Sequence, residues 1–284
     1  MATSNKLVIA YEDVTLDANT TITGTGWDTN TFSNISSVEF SKKATTTADT
    51  TTITIDLERQ RVIGIITIPR HTLRKGSTWQ IQSYDKNDVL IQDSGIVETW
   101  SISEQDYTNI PFADYQDWAA NLENLFNPPA IYFLPTGTFA KKFVITFRDL
   151  NPTSDPTYSC SVSKVLVAPT WIPVYGVSPN WGVSFATISK SSRTAGGAYL
   201  VEDIPRYRKM TFSCKYLKES EAISHIPVLD RDLALSFPYL IIIDPSDSEN
   251  LHRVYLYGVN NKITPMQHLE HGYFSKTFSL DEWL

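Results

Sequence analysis

The sequence predicts a mainly β protein in two domains, and three observations carry this. Threonine is in surplus, with 31 residues in 284 and 15 of them within the first 54; a β-branched side chain fits a pleated strand better than a helix. Apolar and polar residues alternate over short runs separated by turn residues, the period of half-buried strands. Hydrophobic residues reach 42%, aromatic ones 12% and charged ones 19%, a folded composition in a chain long enough for a substantial core.

The elements follow in order. Thr52–Leu57 alternates, with Ile53, Ile55 and Leu57 on one face. Val62–Ile68 is a continuous apolar run ended by Pro69, the pattern of a strand buried on both sides. Thr78–Tyr84 alternates again, and Asp85-Lys86-Asn87-Asp88 is a turn before Val89-Leu90-Ile91. Strands at this spacing predict a β-sandwich. One helix interrupts them: Asp114 caps it, Trp118, Leu122, Leu125 and Phe126 share a face, and Asn127-Pro128-Pro129 stops it. Strands resume at Ile131–Phe133, Lys142–Phe147 and Ser161–Val167.

The Pro-, Gly- and Trp-rich stretch from Pro169 to Gly182 predicts a boundary, dividing the chain into domains 1–170 and 171–284. Charge shifts there too, from a net −6 before residue 171 to −1 after it. In the second domain, Lys209–Leu217 alternates, with Met210, Phe212, Cys214 and Tyr216 expected inward. A short helix follows, capped by Ser220 and shortened by Pro227, with Ile223, Ile226 and Leu229 inward. Pro238–Asp244, His252–Gly258 and Phe274–Leu280 complete the strands.

Several function classes are disfavoured. A net charge of −7 and a pI near 5.2 argue against nucleic-acid binding. No run approaches the roughly 20 apolar residues of a membrane span. Leu7–Tyr11 is too short for a secretory signal, so folding in a cytoplasm is expected. Cys160 and Cys214 are read as two buried reduced thiols, with a single bridge as the alternative.

The chain lacks a Gly-x-Gly-x-x-Gly, a Walker-type loop and a Gly-x-Ser-x-Gly elbow. His268 and His271 lie at i, i+3, whereas the two-His zinc helix needs i, i+4; they read as part of a solvated loop. Arg70-His71 reads as a strand end meeting water or a carboxylate, with a ligand loop as the alternative. Asp56 with Glu58 has the residue types of glycoside chemistry, but 31 acidic residues make a chance pair expected. The expectation is therefore a protein without catalytic residues, metal or cofactor.

Two groups remain as candidates. Trp27, Trp79 and Trp100, with Trp171 and Trp181, are candidates for a sugar-stacking face, or else serve as core and interface anchors. The basic strand Arg206, Arg208 and Lys209 is a candidate subunit interface, since an acidic partner of the same kind would complement it.

The runs Ile53–Leu57, Val62–Leu73 and Ser77–Asp85 resemble a pattern in tailed-bacteriophage tail-tip proteins: a hydrophobic strand reaching a His-x-Leu turn, then a Trp-centred strand closing on Tyr-Asp. The likeness implies a galactose-binding-like (discoidin-type) jelly roll, closed by Phe143–Phe147 and Val162–Ala168. Arg206–Phe212 leading into Leu217–Ala222, with Tyr239–Pro245, Val254–Gly258 and Ser279–Trp283, is similar to the strand-then-helix unit of distal-tail and minor tail proteins. The resemblance covers roughly residues 50–284. It implies a virion structural protein of the tail tip or baseplate, assembled in the host cytoplasm. Its partners would be tail-tube, hub or baseplate subunits and further copies in a homo-oligomer ring. A surface glycan is the ligand of the alternative reading, a carbohydrate-binding module.

Overall fold

The computed structural model describes residues 7–73, 76–100, 129–135, 138–148, 159–187, 191–193, 199–201, 206–233, 235–246 and 251–283. The helix expected over 114–126 lies outside them. The chain forms two compact units, one of Val8–Trp171 with Asp244–Tyr255, the other mainly of Ile172–Ile243 and Leu256–Leu284.

The first unit holds β1 (Val8–Ala10), β2 (Thr21–Thr25), β3 (Ala44–Thr45), β4 (Thr51–Val62), β5 (Ile65–Ile68), β6 (Thr78–Tyr84) and β7 (Leu90–Asp93). It continues with β8 (Val97–Glu98), β9 (Ala130–Phe133), β10 (Phe139–Arg148), β11 (Ser161–Val162), β12 (Leu166–Ala168) and β13 (Thr170–Trp171). One sheet runs β2-β4-β10-β6-β7 with β8 also on β6; a second runs β12-β5-β9. β1 pairs β13 and β3 pairs β11.

Alternation builds the sandwich. Ile53, Ile55 and Leu57 of β4 point inward, and Ile145 of β10 stands opposite both Ile53 and Ile81. Against this face pack Ile66 and Ile68 of β5, Val167 of β12 and Val165 just before it, in one continuous core. Each such side chain contributes about 1.5–3 kcal/mol on burial. The outer face carries Thr52, Thr54, Gln80, Gln82 and Arg148, so the six-stranded sheet has one dry side and one wet side.

The apolar run 62–68 divides differently from the expectation. β4 continues through Val62, the chain breaks at Ile63-Gly64, and a new strand starts in the other sheet. Gly64 is required at the break, because a Cβ there would stand 2.1 Å from Thr170 Oγ1. The threonine-rich N-terminal segment supplies edge strand β2 and two short 3-10 turns, Val14–Leu16 and Phe32–Ser36.

The second unit holds β14 (Gly182–Ala186), β15 (Ser191–Arg193), β16 (Tyr199–Val201), β17 (Tyr207–Lys218), helix α1 (Glu219–Val228) and β18 (Tyr239–Ile242). Beyond the short helix α2 (Leu251–Val254), which belongs to the first unit, come β19 (Tyr255–Asn260), β20 (Gln267–Glu270) and β21 (Tyr273–Glu282). The strands run β18-β19-β21-β17-β14, with β20 on β21 and β15 paired with β16. Phe212 and Phe278 stand opposite each other and stack at 4.9 Å. Cys160 and Cys214 are both buried and not joined in a disulfide, and burial pushes the Cys214 thiol up to about 12, with Glu221 adding to the shift.

Several expectations need correction here. Met210, Phe212 and Cys214 are buried as the alternation requires, but Tyr216 is exposed and Leu217 takes the inward place. A bulge between Cys214 and Leu217 shifts the register, and Tyr216 absorbs it at φ 61°. In α1, Ala222 and Ile226 are buried and Leu229 follows them, but Ile223 faces solvent. The helix begins at Glu219, with the Glu221 carboxylate accepting the Lys218 N–H at 3.3 Å. His252–Val254 are helical, and strand begins at Tyr255. Asp244–Tyr255 sits with the first unit, where the Tyr255 hydroxyl donates to the Pro69 carbonyl at 3.1 Å.

Candidate functional site

The residues singled out from the sequence do not form a common site. Trp27 and Trp79 are core side chains, which corrects their placing as ligand or partner aromatics. Trp79 stacks on Phe147 at 6.1 Å and Trp27 meets the same ring edge-on at 6.1 Å. Trp27 also donates its indole N–H to the Thr52 carbonyl at 3.0 Å. Both rings are more than nine-tenths buried, so neither presents a face to a sugar. Trp100 is half-buried and tied to the Leu73 carbonyl through its indole N–H at 2.8 Å. Trp171 is buried, while Trp181 is exposed.

Arg208 and Lys209 of the basic strand are paired within their own unit, so these two are not a bare cationic face. Arg208 sends Nε and Nη2 to Glu282 Oε1 at 3.0 and 2.7 Å, and its backbone N–H donates to Oε2 at 2.8 Å. Lys209 lies opposite Asp281 in register, at 3.6 Å between charges. Arg206 remains exposed.

The histidines resolve similarly. His71 is buried, not solvated, and its Nδ1 accepts the Leu73 N–H at 3.1 Å, so it braces the turn after β5. Arg70 lies over the Phe40 ring at 5.9 Å. His268 lies on strand β20, not in a loop, and meets Phe274 edge-on at 5.0 Å. Asp56 pairs with Lys141 at 3.4 Å. Among the described residues, no group of three or more metal-ligating side chains occurs.

A cleft of about 440 Å³ opens instead in the N-terminal segment of the first unit, within the roughly 300–1,000 Å³ typical of small-molecule sites. Three groups define it. Phe32 supplies an aromatic wall, Asp17 a carboxylate, and Thr15, Thr20, Thr29, Ser33 and Ser36 a set of hydroxyls. Ile22 and Ile35 complete the lining.

Each group is held from behind. Phe32 lies against β2 at Gly24, where a Cβ would stand 2.5 Å from the ring and 2.8 Å from the Thr52 carbonyl oxygen. On the core side the ring tilts against Trp27 at 6.2 Å. Asp17 is gripped through Oδ2 by Arg61 Nη2 at 2.5 Å, while Arg61 Nη1 reaches Glu12 at 2.8 Å. Thr15 caps back onto Asp13, giving its N–H and hydroxyl to Oδ1 at 3.0 and 2.7 Å. Thr20 donates its hydroxyl to the Val14 carbonyl at 2.8 Å. Both hydroxyl oxygens retain acceptor capacity. Sequence reading missed this site because its members are common residue types in a turn-rich segment with no motif.

An aromatic ring beside hydroxyls and a carboxylate can pack against an apolar ligand surface and exchange hydrogen bonds with polar groups at its edge.

No family model matches the chain, and no curated protein matches it. Among solved structures, it is similar to one described as CpGH89CBM32-6 produced by Clostridium perfringens, at 11% identity and TM-score 0.34 over 56% of this chain and 99% of that one. It is also similar to a Streptococcus pneumoniae fucose binding module, at 16% identity and TM-score 0.35 over 55% of this chain and 96% of that one. A Ruminococcus gnavus GH29 fucosidase in complex with fucose matches at 10% identity and TM-score 0.38, over 56% of this chain and 27% of that one. At these scores the likenesses carry no argument about ligand or activity. The mainly β sandwich is established by the strands themselves.

Proposed function

We propose that the chain is a non-catalytic carbohydrate-binding protein of galactose-binding-like architecture, taking a saccharide in the cleft beside Phe32. One observation carries this reading: a ring seated on Gly24, a carboxylate fixed by Arg61 and a set of hydroxyls border the same cleft. Calorimetric titration of the full chain with saccharides picked from a glycan array tests it. Binding is expected in the wild type, and Phe32→Ala and Asp17→Asn should each weaken it tenfold or more when titrated well below the melting temperature of each variant, where circular dichroism shows it folded. No array hit, or hits that both variants retain at full affinity, would overturn it.

A second reading keeps the tail-tip resemblance: a structural subunit of a phage tail tip or baseplate, ringed around the tail axis, with tail-tube, hub or baseplate partners. It is favoured by Phe185, which stands 64% exposed on β14 at the edge of its sheet, where a neighbouring subunit could cover it. The two readings coexist if the saccharide lies on a host surface. Mass spectrometry of purified virions, with negative-stain microscopy of the isolated protein, tests the second. Absence from virions together with a strictly monomeric protein would sink it.

A further inference from the structure

We infer that the cleft selects uncharged saccharides against carboxylated ones, and that Arg61 is the positioning residue that makes Asp17 the selector. The inference rests on the saccharide reading above and adds the ligand's charge class to it.

The charges around the cleft set the selection. Arg61 projects from β4 with both terminal nitrogens engaged, Nη1 on Glu12 and Nη2 on Asp17. One guanidinium thus serves two carboxylates, and the trio carries a net −1. Its cation is spent before any ligand arrives. The Asp17 and Glu12 carboxylates are partly exposed, at 39% and 55%, while the Arg61 side chain is only 22% exposed. Among the described residues, none of the side chains bordering the cleft is Lys, Arg or His. A carboxylated sugar entering it would meet the Asp17 charge with no cation to answer its own.

A neutral sugar meets a different site. Asp17 spends Oδ2 on Arg61, and its other oxygen is available to accept a hydrogen bond from a sugar hydroxyl, a charge-assisted bond stronger than a neutral one. Thr29 and Ser33 are exposed at the rim, where their hydroxyls can donate or accept. Arg61 does not touch the ligand in this arrangement. It fixes the carboxylate's direction and offsets part of its charge, so its loss should weaken binding and sharpen the repulsion of a carboxylated ligand.

The test compares affinities of the full chain for neutral oligosaccharides and for their sialylated or uronate counterparts, at low and physiological salt. The wild type should bind the neutral member at least tenfold more tightly, with the ratio shrinking as salt screens it. Asp17→Asn should bring the ratio to within about threefold, since the repelling charge is gone. Arg61→Met leaves Asp17 and Glu12 without their shared cation, so it should weaken binding of both classes while raising the ratio, and Arg61→Lys should restore part of the wild-type behaviour. Ser33→Lys, on the exposed rim, should raise affinity for the carboxylated member even if the Asp17 variant fails to fold. Equal or tighter binding of carboxylated sugars by the wild type overturns the inference while leaving the saccharide reading in place. So does a selectivity ratio that neither Asp17→Asn nor Ser33→Lys moves. Binding of neither class removes the saccharide reading itself, and this inference with it.

Discussion

The Lys164 ammonium lies 2.7 Å from Asp13 Oδ2, with both side chains nearly or wholly buried. The approach is an ion pair outside hydrogen-bond geometry. Asp13 in turn holds Thr15 at the cleft through Oδ1. A buried pair of this kind adds little net stability, but half of it is costly, because the remaining charge has no water to solvate it. Lys164→Met is therefore expected to lower stability by about 3–5 kcal/mol. Adding Asp13→Asn should recover most of that loss, since an amide oxygen can still accept from Thr15. Urea denaturation of the two variants checks this; a single variant within 1 kcal/mol of wild type would show the pair is effectively solvated.

Gly24 and Phe32 give a second prediction. A methyl group at position 24 would meet the ring at 2.5 Å, and the Thr52 carbonyl blocks retreat. Gly24→Ala is expected to cost about 1–3 kcal/mol, as overpacking does. It should also displace Phe32 and weaken saccharide binding more than the stability loss alone would. Thermal melts paired with titration separate the two effects.

Asp93 gives a pH prediction. Its carboxylate accepts hydrogen bonds from Gln80 at 2.9 and 2.8 Å, Gln82 at 2.9 Å and the Gly95 N–H at 2.8 Å. These donors, Gln80 foremost, hold its pKa below the usual carboxylate range. A depressed native value means the contribution is complete above the unfolded-state value and disappears as pH falls through the native one. The stability gap between wild type and Asp93→Asn should thus be flat at neutral pH and narrow in acid. An NMR titration of the Asp93 carboxyl that finds an ordinary pKa would refute this.

The Arg208–Glu282 fork and the Lys209–Asp281 pair should behave unequally. The first is mostly buried and makes three hydrogen bonds; hydrogen bonds to charged groups contribute about 1.5–3 kcal/mol each. Arg208→Lys keeps the charge and loses the fork, and is expected to cost about 1–2 kcal/mol. The Lys209 pair is longer and more open, so Lys209→Ala should leave the denaturation midpoint close to that of wild type. Chemical denaturation of both variants decides it.

Much of the fold was legible because strand periodicity is local. The alternation of Ile53, Ile55 and Leu57, and of Met210, Phe212 and Cys214, identified core residues without knowledge of their neighbours. The same reasoning failed at Tyr216, where an inserted residue reverses the two faces. A bulge is a property of paired strands, and nothing in Cys214-Lys215-Tyr216-Leu217 announces it. The tryptophans show a related limit. Trp27 and Trp79 could have stood on either face of their segments, and Phe147, from a distant strand, drew both inward.

The mainly β class was readable from the chain itself, because composition and alternation need no partner to be read; two cysteines left both buried thiols and a single bridge open. Tertiary structure alone decided where charge and chemistry lie. Arg208 looked like an unanswered cation until β21 brought Glu282 beside it. Asp17, Phe32 and Arg61 are unremarkable residues until β2 and β4 pair, placing an aromatic ring and a guanidinium beside the same short turn. Periodicity records which way a side chain points along its own strand. It holds no record of which distant strand will lie next to it, and the cleft is made from that adjacency.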